Sequence, residues 1–305
     1  MERAIDVSGE QRRAVAVPYP EELQLLVERE LDGLAFTSDP TIAPLVETMR
    51  YSLLAGGKRI RPVLALATAR AIGREADELL PFAAALELIH TYSLIHDDLP
   101  AMDDDDMRRG RPTAHVAYGE DVAILAGDAL YAEAFRHVLT RQRGEPANIL
   151  AAMAELAAAT GVDGMVGGQF LDIAGEGQTA ADLRRLHGLK TGRLICASVE
   201  CVLLIDGMHR TDTTAYHDFA SELGVLFQIV DDILDVTGTD DALGKPQGSD
   251  QRQGKRTYVS VFGLDGAREL AARSHRQARA SLAAAAPHGA RELEQITDFI
   301  ATRTS

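Results

Sequence analysis

The chain has 305 residues, 46% hydrophobic and 25% charged, the composition of a soluble globular protein with material for one large helical domain or two ordinary ones. A formal charge of −15 argues against nonspecific nucleic-acid binding, and no uninterrupted apolar run approaches the length that spans a membrane, so neither nucleic acid nor stable membrane insertion is expected. Cys196 and Cys201 lack any Cys/His metal spacing and read as small buried hydrophobes in a reducing compartment. Glu2, Asp6 and Glu10, with no apolar core near them, argue against a signal or transit segment, so the expected location is the cytosol.

Residues 1–20 are of mixed charge, end in Pro18-Tyr19-Pro20 and read as a flexible arm. The remainder, 21–305, reads as one all-helical domain. In Leu79–Ile95 apolar residues recur at three- and four-residue spacing, at Leu80, Ala83, Leu86 and Ile89. Val122–Leu139, Asn148–Ala159 and Ala180–Ile205 follow with similar patterns, rich in alanine, the best helix former. Tyr216–Leu234 repeats the spacing with Phe219, Leu223, Leu226, Phe227, Val230 and Leu234, and Ala267–Ala285 closes the series. Glycine and proline gather between these segments, as at Gly144-Glu145-Pro146 and Gly244-Lys245-Pro246. Period-two strands, short repeats and linkers are absent from the pattern, so the expected fold is an all-α bundle around a single core. Several helices are apolar on more than one face, which implies a central helix or a subunit interface.

Two acidic clusters about 130 residues apart carry the chemistry. The first is Asp97-Asp98-Leu99-Pro100-Ala101-Met102-Asp103, continued by Asp104, Asp105 and Asp106; the second is Asp231-Asp232-Ile233-Leu234-Asp235. Each emerges from an apolar helix, where unpaired carboxylates are costly, so a cation belongs between them. Oxygen ligands suit a hard divalent cation such as Mg²⁺, whose usual companion is a phosphate. Asp231 and Asp235, four apart, share a helix face, while Asp232 is turned away by about 100°. Pro100 disfavours continued helix, so the chain loops and returns Asp103 to the side of Asp97. Basic residues are grouped as tightly, in Gly56-Gly57-Lys58-Arg59-Ile60-Arg61-Pro62 and Met107-Arg108-Arg109-Gly110. Guanidinium groups bind phosphate oxygens in bidentate fashion, so the four clusters together describe a diphosphate site.

These motifs, with His90-Thr91-Tyr92-Ser93-Leu94-Ile95-His96, Gly167-Gly168-Gln169, Lys190-Thr191-Gly192, Phe227-Gln228-Ile229-Val230 and Gly244-Lys245, resemble the short-chain trans-prenyl diphosphate synthases of the bacterial farnesyl type, from about residue 40 to 300. The resemblance implies an isoprenoid-synthase bundle with a central cavity, acting as a homodimer. It implies head-to-tail joining of isopentenyl diphosphate to dimethylallyl and then geranyl diphosphate. Asp97, Asp103 and Asp231 would ligate Mg²⁺, three ions per active site, with Asp98 and Asp235 as direct or water-mediated support; Asp232 counts in the same set although its position turns it aside. Arg108, Lys190 and Lys245 would hold the allylic diphosphate; Lys255, in Gly254-Lys255-Arg256, reads equally as a lid cation over the closed site or as a solvated loop residue. Isopentenyl diphosphate would bind through Gly57, Lys58, Arg61, His90 and Arg109. The Lys190-Thr191 backbone, the Thr191 hydroxyl and the Gln228 amide oxygen would stabilise the allylic cation. Tyr92, about 7.5 Å before Asp97 at about 1.5 Å per residue, would floor the pocket beside small Ser93 and favour a fifteen-carbon product. A geranylgeranyl diphosphate synthase and a class I terpene cyclase are the alternatives, and Lys58, Arg61 and Arg109 count against the cyclase, which needs no second diphosphate site.

Overall fold

The computed structural model describes residues 18–175, 179–238 and 255–303. The proposed arm therefore lies almost wholly outside the described residues, as does Lys245. The chain runs through α1 (Glu21–Asp32), α2 (Ala43–Leu53), α3 (Ile60–Ala71) and α4 (Leu80–Asp97). After a short turn come α5 (Ala114–Tyr118), α6 (Glu120–Arg141), α7 (Pro146–Thr160), α8 (Met165–Ile173) and α9 (Ala180–His187). The bundle is completed by α10 (Arg193–Asp206), α11 (Arg210–Thr237), α12 (Tyr258–Ala285) and α13 (Arg291–Thr302).

The alanine-rich α4 is the central helix. Phe82, Ala83, Ala84, Ala85, Leu86, Leu88 and Ile89 are all buried, which accounts for an apolar pattern that does not keep to one face. It packs against α6, α3 and α1, with α2 and α10 also touching it. Cys196 and Cys201 are free and buried, and burial raises the pKa of both thiols.

Three local features depart from the sequence reading. The helix expected over Ala180–Ile205 is interrupted at Gly188–Gly192 by a single π-helical turn, a bulge that often marks a functional position. Gly168 makes this possible, because a Cβ there would stand 2.2 Å from the Lys190 amide nitrogen, so α8 lies directly on the turn only as glycine. Second, a minimal antiparallel pair joins β1 (Met107–Arg108) to β2 (Arg111–Pro112), with Arg109 and Gly110 at its tip in positive φ, the backbone a tight hairpin demands. Third, the mean hydropathy of Ala76–Asp97 and Pro146–Ile173 reaches that of a membrane-crossing helix, although neither is an uninterrupted apolar run. The first is the buried core helix; the second is α7 and α8 broken at Gly161–Gly164, with Leu150, Val162, Val166, Phe170 and Ile173 exposed.

Candidate active site

Where α4 ends before Pro100, the chain folds back on itself. The Asp103 amide donates to the Asp97 carbonyl at 2.8 Å and the Asp104 amide to the Leu99 carbonyl at 3.1 Å. This sets Asp97 and Asp103 on one rim. Asp97 and, from α11, Asp231 line a cavity of about 560 Å³. Burial pushes the Asp97 carboxyl up to about 6; Lys190 opposes that shift and Asp103 adds to it. All three carboxylates already meet a polar hydrogen: Asp97 accepts from the Gln169 amide at 2.8 Å, Asp103 from Lys255 at 2.9 Å and Asp231 from Arg303 at 2.8 Å. Hard oxygen donors in a setting already shaped for positive charge fit a divalent cation.

The remaining aspartates of the two clusters behave differently. Asp98 is buried and held by Arg108 through Nε and a terminal nitrogen at 2.6–2.9 Å. Asp232 is 1% exposed and accepts from the Gln228 amide at 2.8 Å and the Tyr258 backbone amide at 2.6 Å. Asp235 is buried as well, so it does not share the exposed situation of Asp231 one turn earlier.

Opposite the rim, Arg61, His90 and Arg109 line the same cavity, with Arg61 also 5.7 Å from the centre of the Phe227 ring. Burial pushes the His90 imidazole well below its ordinary pKa, and Arg61 and Arg109 add to that, so the ring is neutral at pH 7. The Arg109 guanidinium donates to the Gly56 carbonyl and lies against Gly57, where a Cβ would come within 2.8 Å of it. Gly57 also has φ of +124°, a backbone conformation that favours glycine. Lys58 sits outside this wall, 5.9 Å from the Tyr19 ring and 5.4 Å from the Phe299 ring.

The π turn presents Lys190 and Thr191 to the cavity. Lys190 pairs with Asp172 at 2.5 Å, and Lys255 approaches the same carboxylate at 3.9 Å. The Thr191 hydroxyl donates to the Gln228 amide oxygen at 3.0 Å. Gln228, Asp232 and Lys255 line a smaller polar pocket behind this turn, together with Asp172 and His187. At the far end, Tyr92, Ser93 and His96 line the main cavity. Tyr92 meets His96 edge-on at 5.6 Å and Tyr131 at 4.9 Å, and Tyr131 leans on Phe135 at 5.1 Å.

Several functional neighbours escaped the sequence reading. Asp172 stands one turn after Gln169 on α8, a spacing that could have flagged it. Arg303 reaches Asp231 from the far end of the chain, with no local signal at all. Arg59 belongs to the basic run, yet its side chain is fully buried and pairs with Glu87 at 2.6 Å and Glu28 at 2.7 Å.

The sequence profile of the polyprenyl synthetase family matches residues 43–297. Over 265 residues the chain is 46% identical to a farnesyl diphosphate synthase of Geobacillus stearothermophilus, covering 86% of this chain and 89% of that one. It is 43% identical over 289 residues to a chloroplastic geranylgeranyl pyrophosphate synthase of Capsicum annuum, covering 93% of this chain and 78% of that one. The crystal structure of an FPP/GFPP synthase from Zymomonas mobilis superposes with a TM-score of 0.80 at 36% identity, covering 92% and 96% of the two chains.

Proposed function

The chain belongs to the polyprenyl synthetase family, and from that premise we propose that it is a trans-prenyltransferase that joins isopentenyl diphosphate to dimethylallyl and then geranyl diphosphate, giving farnesyl diphosphate. The observation that carries the reading is one cavity lined both by the carboxylates of Asp97 and Asp231 and by Arg61, His90 and Arg109, with Asp103 folded back beside Asp97 through its backbone. On this reading the aspartates hold one diphosphate through metal, and the basic residues hold a second without it. Bound to the three aspartates, Mg²⁺ supplies the charge that offsets the diphosphate as its C–O bond ionises; we assign three ions per site.

Arg108, Lys190 and Lys255 add direct contacts to the same diphosphate. The neutral imidazole of His90 donates one hydrogen bond to isopentenyl diphosphate, and Arg61, Arg109, the Gly57 backbone and Lys58 provide the charge. The allylic cation lies beside Thr191, whose hydroxyl gives its hydrogen to the Gln228 amide oxygen and so turns its own lone pairs, the negative end of the dipole, toward the cavity. The π bond of isopentenyl diphosphate attacks the cation, and the departing diphosphate takes the proton.

The Tyr92–Tyr131 pair sets where the growing chain stops. Tyr92→Ala should shift the main product from fifteen to twenty carbons or more, read by chromatography of the dephosphorylated alcohols; an unchanged distribution would remove Tyr92 from length control. We further infer a homodimer, formed on the apolar face that Ile124, Leu125, Leu139, Leu150 and Phe170 leave exposed along α6 to α8. A cytosolic location suits two free buried thiols.

The deciding experiment gives the purified protein Mg²⁺, labelled isopentenyl diphosphate and, separately, dimethylallyl, geranyl or farnesyl diphosphate. The expected result is condensation that ends at fifteen carbons. A twenty-carbon end product would move the chain to the geranylgeranyl synthases, and hydrocarbon release without condensation to the cyclases.

A further inference from the structure

The second aspartate of the second cluster is the one acidic residue there whose geometry says what it does. Both Asp232 oxygens are engaged, Oδ1 by the Gln228 amide nitrogen at 2.8 Å and Oδ2 by the Tyr258 backbone amide at 2.6 Å, and the residue is 1% exposed. A carboxylate only accepts hydrogen bonds, so the amide edge that faces it must be the NH₂. The Gln228 oxygen is thereby turned the other way, toward the Thr191 hydroxyl that lines the main cavity. Rotating the amide by half a turn would set its oxygen against a buried carboxylate and offer the Thr191 hydroxyl the positive end of the dipole.

We propose that Asp232 is a positioning residue and not a metal ligand: it fixes the Gln228 amide with its oxygen on the Thr191 hydroxyl and, through that hydroxyl, sets the dipole that faces the reacting carbons. Tyr258 is the first residue of α12, and Lys255, three residues earlier, pairs with Asp103. Asp232 therefore also ties the amide's orientation to the seating of the segment that covers the diphosphate. The inference rests on the prenyl-transfer reading, because only a cationic intermediate makes the direction of that dipole matter.

Asp232→Asn tests it. Asparagine keeps the volume and still accepts one hydrogen bond, but it no longer compels the Gln228 amide to face it with NH₂. The expected result is a kcat lower by about a hundredfold, the scale of one lost preorganised dipole. Both KM values should be unchanged, as should the calorimetric affinity for Mg²⁺ with inorganic diphosphate. Asp231→Asn, in contrast, should weaken that affinity. If Asp232→Asn weakens Mg²⁺-diphosphate binding as Asp231→Asn does, or leaves kcat intact, the proposal is overturned. In the unmutated protein, the ¹⁵N-resolved side-chain amide of Gln228 should show one proton shifted downfield and slow to exchange; a freely averaging NH₂ would overturn it with no variant needed. An unmutated protein that condenses no allylic diphosphate would instead sink the prenyl-transfer reading, and the amide spectrum would still report on the lock.

Discussion

Asp97→Ala is expected to lower kcat by about a thousandfold or more while the fold survives. Cations at this rim contribute several kcal/mol to stabilising the charge that grows on the leaving diphosphate, and each 1.36 kcal/mol is tenfold in rate. Burial raises the Asp97 carboxyl to about 6, with Asp103 adding to the shift. That cost is relieved when a cation arrives, which makes this carboxylate a strong anchor and its loss severe. Removing the metal with a chelator should abolish turnover in the same way, reversibly on adding Mg²⁺. The check is kcat at saturating substrates alongside a Mg²⁺ titration. A variant within tenfold of the unmutated enzyme would take Asp97 out of the metal set.

The largest effect on stability is expected from Glu87→Ala. The Arg59 side chain is wholly buried and held by Glu87 at 2.6 Å, by Glu28 at 2.7 Å and by the Leu53 carbonyl at 2.8 Å. Glu87 is itself buried, whereas Glu28 is partly open to solvent. Removing one partner of a buried pair strands the other and costs about 3–5 kcal/mol. At roughly 2–4 °C per kcal/mol for a chain of this order of size, Tm should fall by about 6–20 °C. Arg59 also holds a left-handed backbone (φ 53°) between the Gly57-Lys58 turn and the start of α3. The KM for isopentenyl diphosphate should therefore rise as well. Thermal denaturation followed by circular dichroism decides the first point. A double change of Arg59→Met with Glu87→Leu should recover much of the lost Tm, because it removes both buried charges and leaves only Glu28, which is partly open to solvent.

The helices were legible because their apolar spacing is set by the same burial that the fold enforces. Leu79–Ile95 in the sequence became α4 at Leu80–Asp97, and Tyr216–Leu234 lies within α11. The π turn was not legible. Gly188 and Gly192 sit inside a helical pattern, and only the close approach of Gly168, twenty residues earlier, reveals why the ladder slips there. In the site, the aspartates announced themselves by following apolar runs. What the spacing could not show is which of them face inward to protein. Asp98 turns to Arg108, and Asp232 to Gln228 and Tyr258, through contacts fixed by tertiary packing. The basic run Lys58-Arg59-Ile60-Arg61 likewise hid its division of labour: Arg59 is a buried structural pair, Lys58 lies over the Tyr19 and Phe299 rings, and Arg61 lines the cavity.

The acids of the site are already matched inside the protein, Asp103 with Lys255, Asp172 with Lys190 and Asp231 with Arg303. On the proposed reading, loading the site would be an ion exchange: with metal held by the aspartates, the paired lysines and arginine would be released to phosphate, each charge changing partner. An enzyme built this way should tolerate changes of ionic strength better than its overall charge of −15 would suggest, because its counter-ions are side chains that salt cannot wash out.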